Sequence, residues 1–258
     1  MKKASLNLAG LYLAVFFFTA CGPSPVNQQE AQQNVAIAMQ QEKVQIQLDE
    51  TIPGAATSLT RNFYFVFDGS ASMGNPPDNT CSGDRRFSTK IEGAQWAVRE
   101  FMKNVPSDVN LGLYVFDWNN EKEVVSLGPG NHQKFLQEVG NIVTGDGTPL
   151  ADGMRVATEH LVEQYKRQLG YGEFRLIVVT DGIASGIPEA SLNAIRHGIP
   201  IYAIGLCIGE NHPLRQYALS YQAADSAEDL RRGLEQTLAE LSSFDVQEFQ
   251  PAEAGSAK

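Results

Sequence analysis

"FYFVFDGSASMGN", residues 63–75, runs an uninterrupted apolar segment into a carboxylate and then sets hydroxyls at every second position: Asp68, Ser70, Ser72. An apolar run without polar alternation is the pattern of a strand covered on both faces, as in a parallel sheet. The pattern starts at Asn62 in "NFYFVFD" (62–68) and returns in "LGLYVFD" (111–117), "FRLIVVTD" (174–181) and "IPIYAIGL" (199–206). Between the first pair of strands, Ile91, Ala94, Val98, Phe101, Met102 and Val105 recur at helical spacing, and Thr89 with Glu92 has the form of a capping box. Leu150, Met154, Ala157, Leu161 and Tyr165 make a further apolar helical face, and "DLRRGLEQTLAELSS" (229–243) predicts a terminal helix. Such alternation predicts an α/β fold: a doubly wound, mostly parallel sheet with helices on both faces.

In that architecture, ligands gather beyond the C-terminal ends of the strands. Asp68 closes one predicted strand and Asp181 another, so both carboxylates are expected on one rim. The loop "VTGDGTPLADG" (143–153) adds Thr148, between Gly147 and Pro149. Carboxylate and hydroxyl oxygens are hard ligands, suited to Mg²⁺ or Mn²⁺ rather than to zinc. Taken singly, each residue also has an ordinary reading as a cap or turn former. Asp117 is expected to be a solvated loop acid, and Asp146 and Asp152 loop and helix-start acids. His132, His160, His197 and His212 show no metal spacing and are expected at the surface.

As a set, these residues resemble the von Willebrand factor type A domain with its metal-ion-dependent adhesion site. That family has Asp-x-Ser-x-Ser after its first strand, a Thr in a later loop and an Asp after its fourth strand. Here Asp68-Gly69-Ser70-Ala71-Ser72, Thr148 in "GTPL" and Asp181 in "VVTDG" stand in that order, within a domain read as residues 59–243. The resemblance implies a protein-binding module, not an enzyme. Asp68, Ser70, Ser72, Thr148 and Asp181 would hold Mg²⁺ or Mn²⁺, and an Asp or Glu of a protein partner would complete the coordination. The long "NPPDNTCSGDRRFS" loop after the motif departs from the pattern.

The rival reading is a serine hydrolase. "SASMG" (70–74) is close to a nucleophile elbow, with Ser72 as nucleophile and His212 available from a late loop. Against it, Ser70 replaces the elbow's first Gly, and Asp68 and Thr148 would have no role. No Gly-x4-Gly-Lys-Ser/Thr phosphate loop occurs, and an aspartyl phosphotransfer site would want a second Asp at Ser70.

The N-terminus sets the compartment. Lys2 and Lys3 precede the uncharged "ASLNLAGLYLAVFFFTA" and then Cys21, the layout of a secretory signal peptide over residues 1–20. "FTAC" resembles the bacterial lipoprotein box, which implies lipidation of Cys21; an uncleaved signal anchor is the alternative. Either reading exports the domain, and Gly22 after the Cys favours the outer membrane if the cell is Gram-negative. Residues 21–58 carry eight Gln between Gln28 and Gln47 and read as a tether, with Val44, Ile46 and Leu48 open to an edge strand. The tail 244–258 reads as disordered. If Cys21 carries lipid, Cys81 and Cys207 remain as a pair for a disulfide, two separate thiols being the alternative. The net charge of −10, with no basic stripe, excludes a nucleic-acid partner.

Overall fold

The computed structural model describes residues 43–48, 51–77, 81, 86–119 and 121–239. The signal region, Cys21, the Gln-rich stretch up to 42 and the tail lie outside them. The strands are β1 (Arg61–Asp68), β2 (Asn110–Phe116), β3 (Glu121–Gly128), β4 (Glu173–Thr180), β5 (Ile201–Leu206) and β6 (Ser220–Ala224). The helices are α1 (Lys90–Met102), α2 (His132–Gly140), α3 (Leu150–Arg167), α4 (Ile187–Arg196) and α5 (Ala227–Ala239). They build one six-stranded sheet of order β3-β2-β1-β4-β5-β6, parallel except for the antiparallel pairing of β3 with β2.

The alternation of β1 divides the core. Phe63, Phe65 and Phe67 point to one face and pack with residues of α1, α2 and α5, whereas Tyr64 and Val66 point to the other, beneath α3 and α4. Phe135 of α2 meets Phe65 edge to face at 4.8 Å between ring centroids. Tyr64 lies across from Gly112 of β2, and a Cβ there would come within 2.6 Å of its ring. That glycine makes room for an aromatic in the middle of a sheet.

Four elements went unread in the sequence. The edge strand β3 buries fully only Val125, and β6 is five residues long and mixes Ser220 and Gln222 with Tyr221 and two alanines, so neither carries the apolar run of a central strand. Helix α2 buries only Phe135 and Val139, and α4 is ten residues long. Val44, Ile46 and Leu48 do not form an edge strand. Instead the Val44 N–H donates to the Arg196 carbonyl (2.9 Å), and Ala56 N–H to that of Arg167 (3.0 Å), so the described parts of the tether region touch the domain. Thr89 caps α1 by accepting from the Glu92 N–H, while the Glu92 carboxylate takes the Ser88 N–H rather than that of Thr89. Among the described residues, no helix is long and apolar enough to cross a membrane.

Strand order fixes where a site can form. From β1 the chain winds outward to β2 and β3, then returns to the other side of β1 as β4. The crevice where the winding reverses lies beyond the C-terminal ends of β1 and β4. Asp68 and Asp181 stand there.

Candidate metal centre

The register Phe67 to Val179 brings the next residues of the two strands, Asp68 and Thr180, abreast. Asp68 is fully buried. Its Oδ1 accepts the Ser70 N–H (2.8 Å) and its Oδ2 accepts the Thr180 hydroxyl (2.5 Å). Burial pushes the Asp68 carboxyl above the usual carboxylate range; the bonds from Ser70 and Thr180 oppose this, and the nearby charge of Asp181 adds to it. The chain leaves β1 through Gly69, where a Cβ would meet Ile142 at 2.6 Å and Asp117 at 2.8 Å, so only glycine fits. It then enters a short 3-10 turn, Ala71–Gly74, which turns both serines toward β4.

The hydroxyls form a chain. Ser70 Oγ lies 3.0 Å from Ser72 Oγ, and Ser72 Oγ donates to Asp181 Oδ1 at 2.7 Å. The other Asp181 oxygen, Oδ2, is buried and takes no hydrogen bond from a hydroxyl or a backbone N–H among the described residues. It faces the ammonium of Lys90, the first residue of α1, in an ion pair whose side chains are only 9% and 0% exposed.

Thr148 arrives from the other side. Its Oγ1 lies 3.6 Å, and Asp68 Oδ2 3.8 Å, from where a Cβ on Gly182 would stand, so the two oxygens line the same spot. Its loop is tied down: Gly145 N–H donates to Gly69 O (3.0 Å) and Ala71 N–H to Asp146 O (3.3 Å). Asp146 holds a left-handed φ of 62° to make the turn. Beyond Thr148 opens a cleft of about 430 Å³ lined by Asp117, Glu121, Asp146 and Asp152, which biases that side toward cations.

All five residues read from the sequence as ligands therefore converge on one rim, and their donors are oxygen. Among the described residues, no group of three His, Cys, Asp or Glu converges to hold a metal. Two carboxylates with three hydroxyls are a donor set that suits a hard divalent cation.

Other residues differ from the sequence reading. Asp117 is not a solvated acid but is 5% exposed; its Oδ1 accepts the Asn119 N–H (2.9 Å) and its Oδ2 the Val143 N–H (3.1 Å), clamping the β2–β3 turn to the Thr148 loop. Nor is His212 a surface residue. It is 2% exposed, with Nε2 2.9 Å from Gly182 O, Nδ1 accepting the Leu214 N–H (3.1 Å), and its ring stacked on Tyr221. Those bonds assign Nε2 the proton, and burial holds the imidazole pKa below its usual value. Ser72 consequently has an aspartate as its partner, not an imidazole. Cys81 and Cys207 are joined as a disulfide, with Cα atoms 4.8 Å apart.

Two residues of the site were not read at all. Thr180 is signalled only by being the hydroxyl before Asp181. Lys90 is signalled by its place on the apolar stripe of α1, four residues before Ala94, and at the helix end where a cation opposes the dipole.

The sequence profile of the von Willebrand factor type A domain matches residues 62–250. The chain belongs to that family. Its domains are protein-interaction modules, often with a divalent metal and generally without enzymatic activity. No sequence match was found among curated proteins. Several solved structures share the type A fold. An aerotolerance-related membrane protein from Bacteroides fragilis is 13% identical over 69% of this chain and 98% of its own, with a TM-score of 0.52. The von Willebrand domain of the type V pili tip protein Mfa5 from Porphyromonas gingivalis is 12% identical over 75% and 100%, with a TM-score of 0.53. The PilB minor pilin from Streptococcus sanguinis is 14% identical over 74% of this chain and 62% of its own, with a TM-score of 0.53. At these identities the likeness is one of fold.

Proposed function

We propose that this type A domain is a divalent-metal-dependent protein-binding module of the bacterial envelope, held at the membrane by a lipid on Cys21, on the outer membrane in a Gram-negative cell. Asp68, Ser70, Ser72, Thr148 and Asp181 would hold the ion, Mg²⁺ or Mn²⁺. The observation that carries the reading is the hydrogen-bonded run from Asp68, through the Ser70 N–H and the Ser70 and Ser72 hydroxyls, to Asp181, with Thr148 facing it at the switch point of the sheet.

When bound, the ion would supply an electrophilic coordination position for an Asp or Glu carboxylate of the partner. The protein's own residues do the rest. Thr180 and the Ser70 N–H aim the Asp68 carboxylate, so its orientation does not depend on the ligand. Three exposed apolar side chains stand on rim loops: Trp118 (69%), Val143 (49%) and Ile183 (67%). Trp118 and Val143 are joined by the Trp118 N–H to Val143 O bond (2.9 Å), and Ile183 follows Gly182. They offer apolar contact to residues flanking the partner's acid, the arrangement in which a charged anchor is ringed by groups that exclude water. The fold neighbours from a pilus tip, a pilin and a membrane protein accord with an envelope role.

Calorimetric titration with Mg²⁺ and Mn²⁺ tests the site: Asp68→Ala and Asp181→Ala should each abolish binding that wild type shows. Unchanged affinity in both variants refutes the assignment. Pull-downs from membranes in Mg²⁺ against EDTA then test the partner, and capture that survives EDTA undiminished places the contact elsewhere. Labelling with a fatty acid, lost in Cys21→Ser, tests the anchor.

A further inference from the structure

Lys90 is out of place by every local rule. It sits on the buried stripe of α1 with Ala94, Ala97 and Phe101, where the helix wants an apolar residue, and at the N-terminal end, where a positive charge opposes the helix dipole. Its backbone is fixed as well, since the Lys90 N–H donates to Asn75 O (3.0 Å), in the segment just after the serines. Nothing about α1 requires a lysine. What its ammonium meets is the buried Oδ2 of Asp181, which takes no hydrogen bond from any other described group.

We infer that Lys90 is a built-in counter-ion that competes with the divalent ion for Asp181 and so sets the metal affinity of the site. The inference rests on the metal reading above. A buried carboxylate without a compensating charge is strongly destabilising, so the buried Asp181 calls for a cation beside it. Lys90 supplies it when no metal is bound, and keeps the oxygens in place. The consequence is a weakened claim of any metal on Asp181. A monovalent and a divalent cation a few ångströms apart repel strongly unless one withdraws, and the cost of that withdrawal appears as lost affinity. The disulfide Cys81–Cys207 lies close by, since Cys81, Cys207, Thr89 and Lys90 line one small pocket.

The test compares wild type with Lys90→Met, which keeps the apolar stem and removes the charge, and with Lys90→Gln as a second neutral variant. Mg²⁺ and Mn²⁺ affinity is read by calorimetry, and thermal stability in EDTA and in excess Mg²⁺. Both variants should bind metal roughly 10- to 100-fold more tightly than wild type. In EDTA their Tm should fall by about 5–10 °C, with Mg²⁺ restoring most of the loss. Equal or weaker metal affinity in both variants overturns the inference while leaving the metal site standing. Absence of Mg²⁺ and Mn²⁺ binding in wild type and both variants overturns the metal reading, and the inference with it. Should neither variant fold, wild type still decides: acetylation of the Lys90 amine, followed by mass spectrometry, should accelerate when saturating Mn²⁺ is added to the EDTA-treated protein. An unchanged rate rules out displacement.

Discussion

Thr180→Val tests whether the rim is positioned before any ligand arrives. The change is nearly isosteric, so it opens no cavity, but it removes the hydroxyl that donates to Asp68 Oδ2 (2.5 Å) and accepts the Gly182 N–H (3.1 Å). A hydrogen bond to a buried charge contributes about 1.5–3 kcal/mol. The Gly182 N–H then loses its partner, which adds a desolvation cost of roughly 1 kcal/mol. The expected loss is about 3 kcal/mol, which in a domain of this size lowers Tm by roughly 6–12 °C. Urea unfolding and calorimetry in EDTA would measure it without interference from metal. Thr180→Ser, which keeps the hydroxyl, should recover most of the loss. A valine variant within about 0.5 kcal/mol of wild type, or a serine variant as unstable as the valine one, would show that Asp68 is not held by this bond.

Other perturbations follow from the same geometry. The disulfide closes a loop of 126 residues, for which the chain-entropy relation gives about 5 kcal/mol, so Cys81→Ser with Cys207→Ser should lower the urea midpoint markedly; an unmoved midpoint would show the bridge idle. His212 is kept neutral by burial, so as pH falls below about 6.5 the unfolded chain takes up a proton that the folded one refuses. Stability should therefore drop on acidification, by at most about 1.4 kcal/mol per pH unit for this one group, and the drop should shrink in His212→Gln; equal pH dependence in the two proteins contradicts it. Thr148→Ala should weaken a recovered partner more than it weakens Mg²⁺, whereas Ser70→Ala should weaken both, as parallel titrations would show. Trp118→Ala should weaken the partner several-fold at unchanged metal affinity, and an unaltered partner affinity would remove the apolar rim from the contact.

The central strands were legible because burial on both faces leaves no room for polar alternation, as in Phe63–Phe67. That logic fails at the edges: β3 has one covered face and β6 is a short mix of polar and apolar residues, so their sequences look like loops. The place of Asp68 and Asp181 on one rim was legible because strand ends are marked by the last apolar residues, and the carboxylates stand at those ends. Burial of loop residues was not. Asp117 and His212 lie in segments with no periodicity, and what buries them is a partner far along the chain, the Val143 N–H for one and Gly182 O for the other. Lys90 shows the remaining limit: its misplacement on α1 is visible in the sequence, but the residue that compensates it is not.

The charges at the rim give the proposed function its direction. The metal-free centre sets two carboxyls, Asp68 and Asp181, against one ammonium, Lys90, and the flanking cleft adds Glu121, Asp146 and Asp152, so the surface around it is acidic. An acidic side chain approaching that surface is repelled. A bound divalent cation would reverse the sign of the centre and attract that side chain. Lys90 sharpens the contrast: its charge weakens retention of the ion, yet once the ion is held the same charge favours an anionic partner. Each then promotes binding of the other, since the partner's carboxylate relieves the repulsion between the two cations. Under the proposed metal reading, such a site would be loaded only weakly by metal alone and firmly when ion and acidic partner arrive together.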